Sequence, residues 1–268
     1  MTHGASKSHY GLGPEHRRRD DLSGKVALVS GGTSGIGRAT VEIMSDMGAD
    51  VLFLGRSREE ADEVRDATDG RAVFHRADQR DGDALRAGVS AAVERFGGID
   101  YLFASAGLEQ EPKPLVEYTD ADIDKYLEIN LRGSVQLAIA AAPHIIERQG
   151  SIVLCSSFWG VQAGIGTGIY AAAKAGLTQF AKSLAQELAP DGVRVNTVSP
   201  GGVDTAMFRR SVPEDQRESW AASIPLGRAA DPDELADAVI WLLTRATYVT
   251  AHDLVVDGGV ASKMGMDF

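Results

Sequence analysis

The chain has 268 residues, 44% hydrophobic and 24% charged, a balance that suits a folded globular protein and excludes a mainly disordered one. Against 27 basic residues stand 38 acidic ones, for a net charge of −11, which argues against binding nucleic acid through a diffuse field and leaves room only for a local basic pocket. No apolar run approaches the ~20 residues that span a bilayer, and the single cysteine, Cys155, can form no intrachain disulfide, so a reducing cytoplasm is the expected compartment.

Residues 1–23 are polar and glycine-rich and contain His3, His9 and His16. They lack the apolar core of a secretory signal and read as a flexible tail, with an arm packed on a neighbouring subunit as the alternative. From residue 24 to 268 the chain reads as one domain. Short, mostly continuous apolar runs at 26–30, 51–54, 72–75, 101–104, 152–156, 193–198 and 254–256 predict strands buried on both faces of a parallel sheet. Helical patterns at 35–47, 57–68, 80–96, 119–148, 169–189 and 231–243 lie between them, and Thr119 and Asp231 supply capping residues ahead of early acids. This alternation predicts an α/β fold: a doubly wound, Rossmann-type three-layer sandwich with a seven-stranded parallel sheet. Residues 201–230 break the rhythm, since no strand follows. An excursion of that length predicts a substrate lid at about 204–225 with one or two short helices. The six histidines show no ligand spacing, so no metal is expected.

Ser30-Gly31-Gly32-Thr33-Ser34-Gly35-Ile36-Gly37 follows the first strand and opens the first helix. Glycines there let the backbone approach a pyrophosphate, and the helix N-terminus offers free N–H groups to that anion. A P-loop is rejected because Arg38 and Ala39 stand where Lys and Ser/Thr are required. Further along, Tyr170 and Lys174 are spaced i and i+4 near the start of a helix, on one face. An ammonium beside a phenol favours the phenolate and lowers the tyrosine pKa, which suits a general acid or base near neutral pH. Alone, the pair reads far more readily as a solvated helix surface.

Together these motifs resemble the short-chain dehydrogenase/reductase (SDR) family, classical type, over about residues 24–260. Asp78 ends the third strand region, Ala104-Ser105-Ala106-Gly107 stands where that family has Asn-Asn-Ala-Gly, and Asn130 lies in Ile-Asn-Leu-Arg-Gly. Ser156-Ser157 ends the fifth strand, and Ser157, 13 positions before Tyr170, is the match for the family serine. Pro200-Gly201 with Thr205 resembles the nicotinamide-side loop, and Leu254 to Gly259 the last strand. The resemblance implies hydride transfer between a nicotinamide cofactor and a carbonyl or secondary alcohol. Tyr170 would move the proton. Lys174 would lower its pKa and hold the nicotinamide ribose, Ser157 would hold the substrate oxygen, and Asn130 would hold a water linking Lys174 to solvent. Cofactor contacts are implied at Gly31, Thr33, Ser34, Gly35, Ile36, Gly37, Arg56, Ser57, Asp78, Gln79, Ser105, Ala106, Gly107, Tyr170, Lys174, Pro200, Gly201, Val203 and Thr205. Ser105 in place of Asn puts the contacts of its turn in doubt, whereas Ala251, where glycine is common, is expected to matter little.

NADP is favoured over NAD. Gly55 occupies the place of the acid that takes ribose hydroxyls, and Arg56 and Ser57 follow it to meet a 2′-phosphate. A substrate pocket is expected from Glu109, Phe158, Trp159, Met207 and Phe208, bordered by Leu108, Gln110, Val161 and Trp220. That set suits an apolar or cyclic carbonyl compound. The alternative readings are epimerisation, dehydration or imine reduction on the same fold, or a non-catalytic dinucleotide-binding regulator. Small residues on the helices near 119–148 and 169–189 predict a homotetramer or homodimer with two-fold symmetry. Neither nucleic acid nor membrane is expected as a partner.

Overall fold

The computed structural model describes residues 21–109 and 111–262; the expectations for residues 1–20 and for Gln110 lie outside that range. Chain order is β1 Val26–Ser30, α1 Gly35–Asp46, β2 Asp50–Gly55, α2 Arg58–Ala67, β3 Val73–Arg76, α3 Gly82–Phe96, β4 Tyr101–Ala104, α4 Asp120–Leu127, α5 Gly133–Arg148, β5 Ser151–Cys155, α6 Gly168–Leu188, β6 Arg194–Pro200, α7 Ala206–Ser211, α8 Arg217–Ala222, α9 Pro232–Thr244 and β7 Asp253–Val256. All seven predicted strands form, in one parallel sheet of order β3-β2-β1-β4-β5-β6-β7. The order reverses between β1 and β4, and the loops at the carboxyl ends of those strands open a crevice there.

Strand residues alternate between two cores. Val51, Phe53, Phe103, Val153 and Val198 face α1 and α9 through Val41, Met44, Leu235 and Ile240. Leu52, Leu54, Leu102, Ile152 and Leu154 face α3, α5 and α6 through Leu85, Val89, Leu137, Ile145 and Leu177. Both faces being covered explains why the runs read as continuous rather than alternating. Ala138 and Ala141 are buried within this second core and Ala173 on α6 is also buried, so part of the alanine set expected between subunits serves packing inside the chain.

Two departures from the predicted elements matter. The helix expected over 119–148 is broken: α4 ends at Leu127, a π-helical turn runs Glu128–Arg132, and α5 follows. A π turn carries one extra residue and recurs at functional sites; Asn130 lies in it, fully buried. The excursion after β6 holds α7 and α8, as expected, and its base is closed by a parallel bridge between Val203 and Ala230. Ala251 has φ +58°, a left-handed conformation that costs a residue with a Cβ about 1–2 kcal/mol, so this position matters more than expected. No helix among the described residues is long and apolar enough to cross a membrane.

Candidate active site

The glycine-rich turn carries β1 into α1 under close packing. A Cβ on Gly37 would stand 2.3 Å from the Gly31 carbonyl oxygen, so only glycine lets this turn fold back on itself. Ser34 occupies the N-cap of α1, is exposed, and its side chain makes no capping bond; the first turn holds no acid. The free N–H groups and positive dipole end of α1 therefore suit the pyrophosphate of a dinucleotide. The Ile36 side chain packs into the core, leaving its main chain at this end. The Thr205 methyl lies against Gly35, and its hydroxyl caps α7 by accepting from Phe208 N at 3.2 Å. Thr205 thus joins the loop that follows Pro200 at the end of β6, with Gly201 and the buried Val203, to the glycine-rich turn.

Ser105 and Ala106 are braced from the β1 side. Ser105 N donates to Ser30 O at 3.2 Å and Ala106 N to Ser30 Oγ at 3.3 Å, so the Ser30 hydroxyl supports a turn that lacks the family asparagine. At the end of β2, Arg56 is exposed. The Ser57 hydroxyl caps α2, accepting from Glu60 N at 3.2 Å. Asp78 is clasped by Arg80, accepting from its N–H, Nε and Nη2 at 2.9, 3.1 and 2.9 Å. Those bonds, with the further charge of Arg56, hold the carboxyl at about 2. Gln79 is turned the other way: it is buried and donates to Ser134 Oγ on α5 at 3.2 Å.

Tyr170 and Lys174 lie one turn apart on α6, with Lys174 Nζ 5.6 Å from the tyrosine ring centre. Tyr170 is hydrogen-bonded to the Ser157 side chain, and Ser157 Oγ also accepts from Trp159 N at 3.2 Å. Ser156 is engaged elsewhere: it donates to Lys174 O at 3.0 Å and accepts from Thr178 Oγ1 at 2.8 Å. Lys174 is buried and donates to the Cys155 carbonyl at 2.7 Å. Burial draws the lysine pKa down and pushes the Tyr170 phenol up, against the bond from Ser157. The expected lowering of the tyrosine by its lysine is therefore opposed by the same desolvation that disfavours both charged forms.

Asn130 does not present a free amide. Its Oδ1 accepts from Leu108 N at 2.9 Å, and its Nδ2 donates to Leu108 O at 2.9 Å and Tyr126 O at 3.1 Å. It fixes the loop after β4 and brings Gly107 beside Lys174. Glu109, which follows Leu108, accepts a hydrogen bond from Ser211 at the end of α7. Phe158 stacks on Trp159 with ring centres 4.3 Å apart, and the Trp159 ring packs on Gly164, so the tryptophan braces its own loop. Phe208 meets Trp220 edge-on at 4.6 Å. The sequence reading missed Ser30, Ser211, Thr178 and the Cys155 carbonyl. These are ordinary residues or main-chain groups whose roles depend on contacts across the fold.

A family model described as enoyl-(acyl carrier protein) reductase matches residues 31–261. The 3-oxoacyl-[acyl-carrier-protein] reductase FabG of Thermotoga maritima is 35% identical over 244 residues, 89% of this chain and 98% of the relative. Cis-4-hydroxycyclohexanecarboxylate dehydrogenase of Sinomonas cyclohexanicum is 38% identical over 241 residues, 88% and 96% respectively. Among solved structures, levodione reductase superposes with a TM-score of 0.87 at 32% identity, covering 90% of this chain and 99% of that one.

Proposed function

The chain belongs to the short-chain dehydrogenase/reductase family, and on that premise we propose that it oxidises or reduces a ring-bearing small molecule, with NADP(H) as the preferred cofactor. That it is an NAD(P)-dependent oxidoreductase of carbonyl or alcohol groups follows from its membership. When bound, the dinucleotide supplies or receives the hydride. Tyr170 gives or takes the hydroxyl proton, and Ser157, already bonded to it, holds the substrate oxygen as charge develops. Lys174 anchors the cofactor ribose and steadies the phenolate, countering the desolvation of Tyr170. Asn130 acts by holding the loop over Lys174.

The observation that carries this reading is the hydrogen-bonded Ser157–Tyr170 pair one helical turn from Lys174, which the Ala106–Gly107 turn links to Gly31 and so to an uncapped helix end suited to a diphosphate. A cyclic substrate draws support from the aromatic residues Phe158, Phe208 and Trp220 and from the cis-4-hydroxycyclohexanecarboxylate dehydrogenase among its relatives. The NADP preference rests on exposed Arg56 next to Gly55, with no acid at that place. The test is a screen of cyclic ketones, quinones, sugars and steroids with NADPH and NADH. Cofactor oxidation by a cyclic ketone, faster with NADPH, is expected, and Arg56→Ala should weaken NADPH selectively. Absence of cofactor-linked turnover across the screen overturns the activity; equal loss of both cofactors in Arg56→Ala overturns the preference.

A further inference from the structure

Glu109, half-buried, extends its carboxyl from the loop after β4 to α7, the helix that carries Met207 and Phe208. Its backbone is fixed from one side, because the neighbouring Leu108 exchanges hydrogen bonds with Asn130 in both directions at 2.9 Å. Its side chain crosses to α7 and accepts from the Ser211 hydroxyl, which also donates to Met207 O at 3.3 Å. The carboxyl stands within electrostatic reach of Tyr170 and pushes the phenol up. Burial raises Glu109 above the usual carboxylate range, against the Ser211 bond and the charge of Arg210.

An ionised carboxylate only accepts hydrogen bonds and has room for several donors. Half-buried and within electrostatic reach of Tyr170, it repels an anionic substrate and gains nothing from a purely apolar one, whose arrival removes water from it. A hydroxyl carried near the reacting carbon satisfies it. We propose that Glu109 is a specificity-determining residue that accepts a hydrogen bond from a second hydroxyl of the substrate, so that the substrate is a ring-bearing diol or the matching hydroxy-ketone. This rests on the oxidoreductase reading above. In the oxidative direction the reacting carbon loses a hydride to the oxidised dinucleotide and its oxygen loses a proton toward Tyr170. A C=O bond forms, and the second hydroxyl is unchanged.

The experiment measures kcat/KM of the full chain for cyclohexanol and for cis- and trans-1,2-cyclohexanediol with NADP+ and NAD+, alongside cofactor binding by fluorescence. The wild type should favour one diol over cyclohexanol by about tenfold or more, the range of a hydrogen bond to a charged group. Glu109→Ala should bring that ratio to about one. Glu109→Gln keeps the shape and one acceptor oxygen and should give an intermediate ratio, which covers the case of an alanine variant that fails to fold. Ser211→Ala removes the competing donor and should preserve or raise the ratio. A wild-type ratio near one, or a ratio that survives in Glu109→Ala, overturns the role of Glu109 while leaving the oxidoreductase reading intact. A ratio lost equally in Ser211→Ala would make Glu109 a support for α7 and overturn the proposal. Cofactor binding with none of the alcohols oxidised would overturn the proposed reaction on ring alcohols, and this inference with it.

Discussion

Tyr170 and Lys174 are pushed in opposite directions by one environment: burial raises the phenol and lowers the ammonium. Burial thus favours the protonated phenol, the form that can give its proton to a carbonyl oxygen, while the hydrogen bond from Ser157 works the other way. Tyr170→Phe keeps the ring and removes the proton. It should reduce kcat by about 10²–10⁴-fold, the contribution of general acid–base catalysis, with cofactor affinity retained; more than about a tenth of the rate remaining would break the assignment. Gly55 offers a second test. A Cβ there would stand 2.4 Å from the Thr33 methyl carbon, and Thr33 is itself buried. Gly55→Asp alone should therefore cost about 1–3 kcal/mol by overpacking and weaken both cofactors. Combined with Thr33→Ser, which removes the methyl, it should move preference toward NADH by about tenfold or more, the scale of a charge-assisted bond. Fluorescence titration of both cofactors checks this, and a clean switch by Gly55→Asp alone would show that Thr33 does not guard the position.

The excursion carrying α7 and α8 is held at a few points. Its base is closed by the Val203–Ala230 bridge, and the Trp220 indole lies against Gly202, where any side chain would collide with it. Arg209 pairs with Asp204 at 2.8 and 2.9 Å within the excursion. Contact with the rest of the chain includes Thr205 on Gly35, Ser211 on Glu109, the buried Ile224 on Gly258, and Pro225 on Gly259. Neither α7 nor α8 holds a buried residue, and elements with so little buried contact open locally at low cost, which suits a lid. Amides of 204–225 should gain protection from hydrogen exchange when cofactor and product are added; protection that does not change would exclude a lid. At the entry to β7, Ala251 donates its N–H to Val195 O at 2.8 Å while held at φ +58°. Ala251→Gly relieves that strain and should raise stability by about 1 kcal/mol and Tm by about 2–4 °C, as calorimetry would report.

For the whole molecule, the surfaces left over by packing bear on assembly. Ile139 on α5 is 56% exposed, and Ala172 and Ala175 on α6 also face outward, although their neighbours Ala138, Ala141 and Ala173 are buried inside the chain. Small exposed residues on adjoining helices permit the close approach that a two-fold interface requires. Light scattering at micromolar concentration should report a dimer or tetramer, shifted to smaller species by Ile139→Glu; a monomeric wild type would refute it.

The sequence alone determined the strand–helix alternation, all seven strands, the glycine-rich turn and the Ser157–Tyr170–Lys174 set. These depend on local period and fixed spacing, and a parallel sheet covered on both faces writes its strands as plain apolar runs. Only the tertiary structure decided which hydroxyls are engaged and which are available. Ser156 and Ser157 are adjacent in sequence, yet one is held by Lys174 O and Thr178 and the other meets Tyr170. Likewise Asn130 is committed to the Leu108 backbone 22 residues away, and Glu109 meets Ser211 across 102 residues. The break of the long predicted helix at Glu128–Arg132 belongs to the same class. Its apolar pattern reads as continuous helix, and the extra residue of the π turn is accommodated where Asn130 exchanges hydrogen bonds with a distant loop. Contacts made across that distance leave no periodicity behind, so they become visible only once the strands have set the loops side by side.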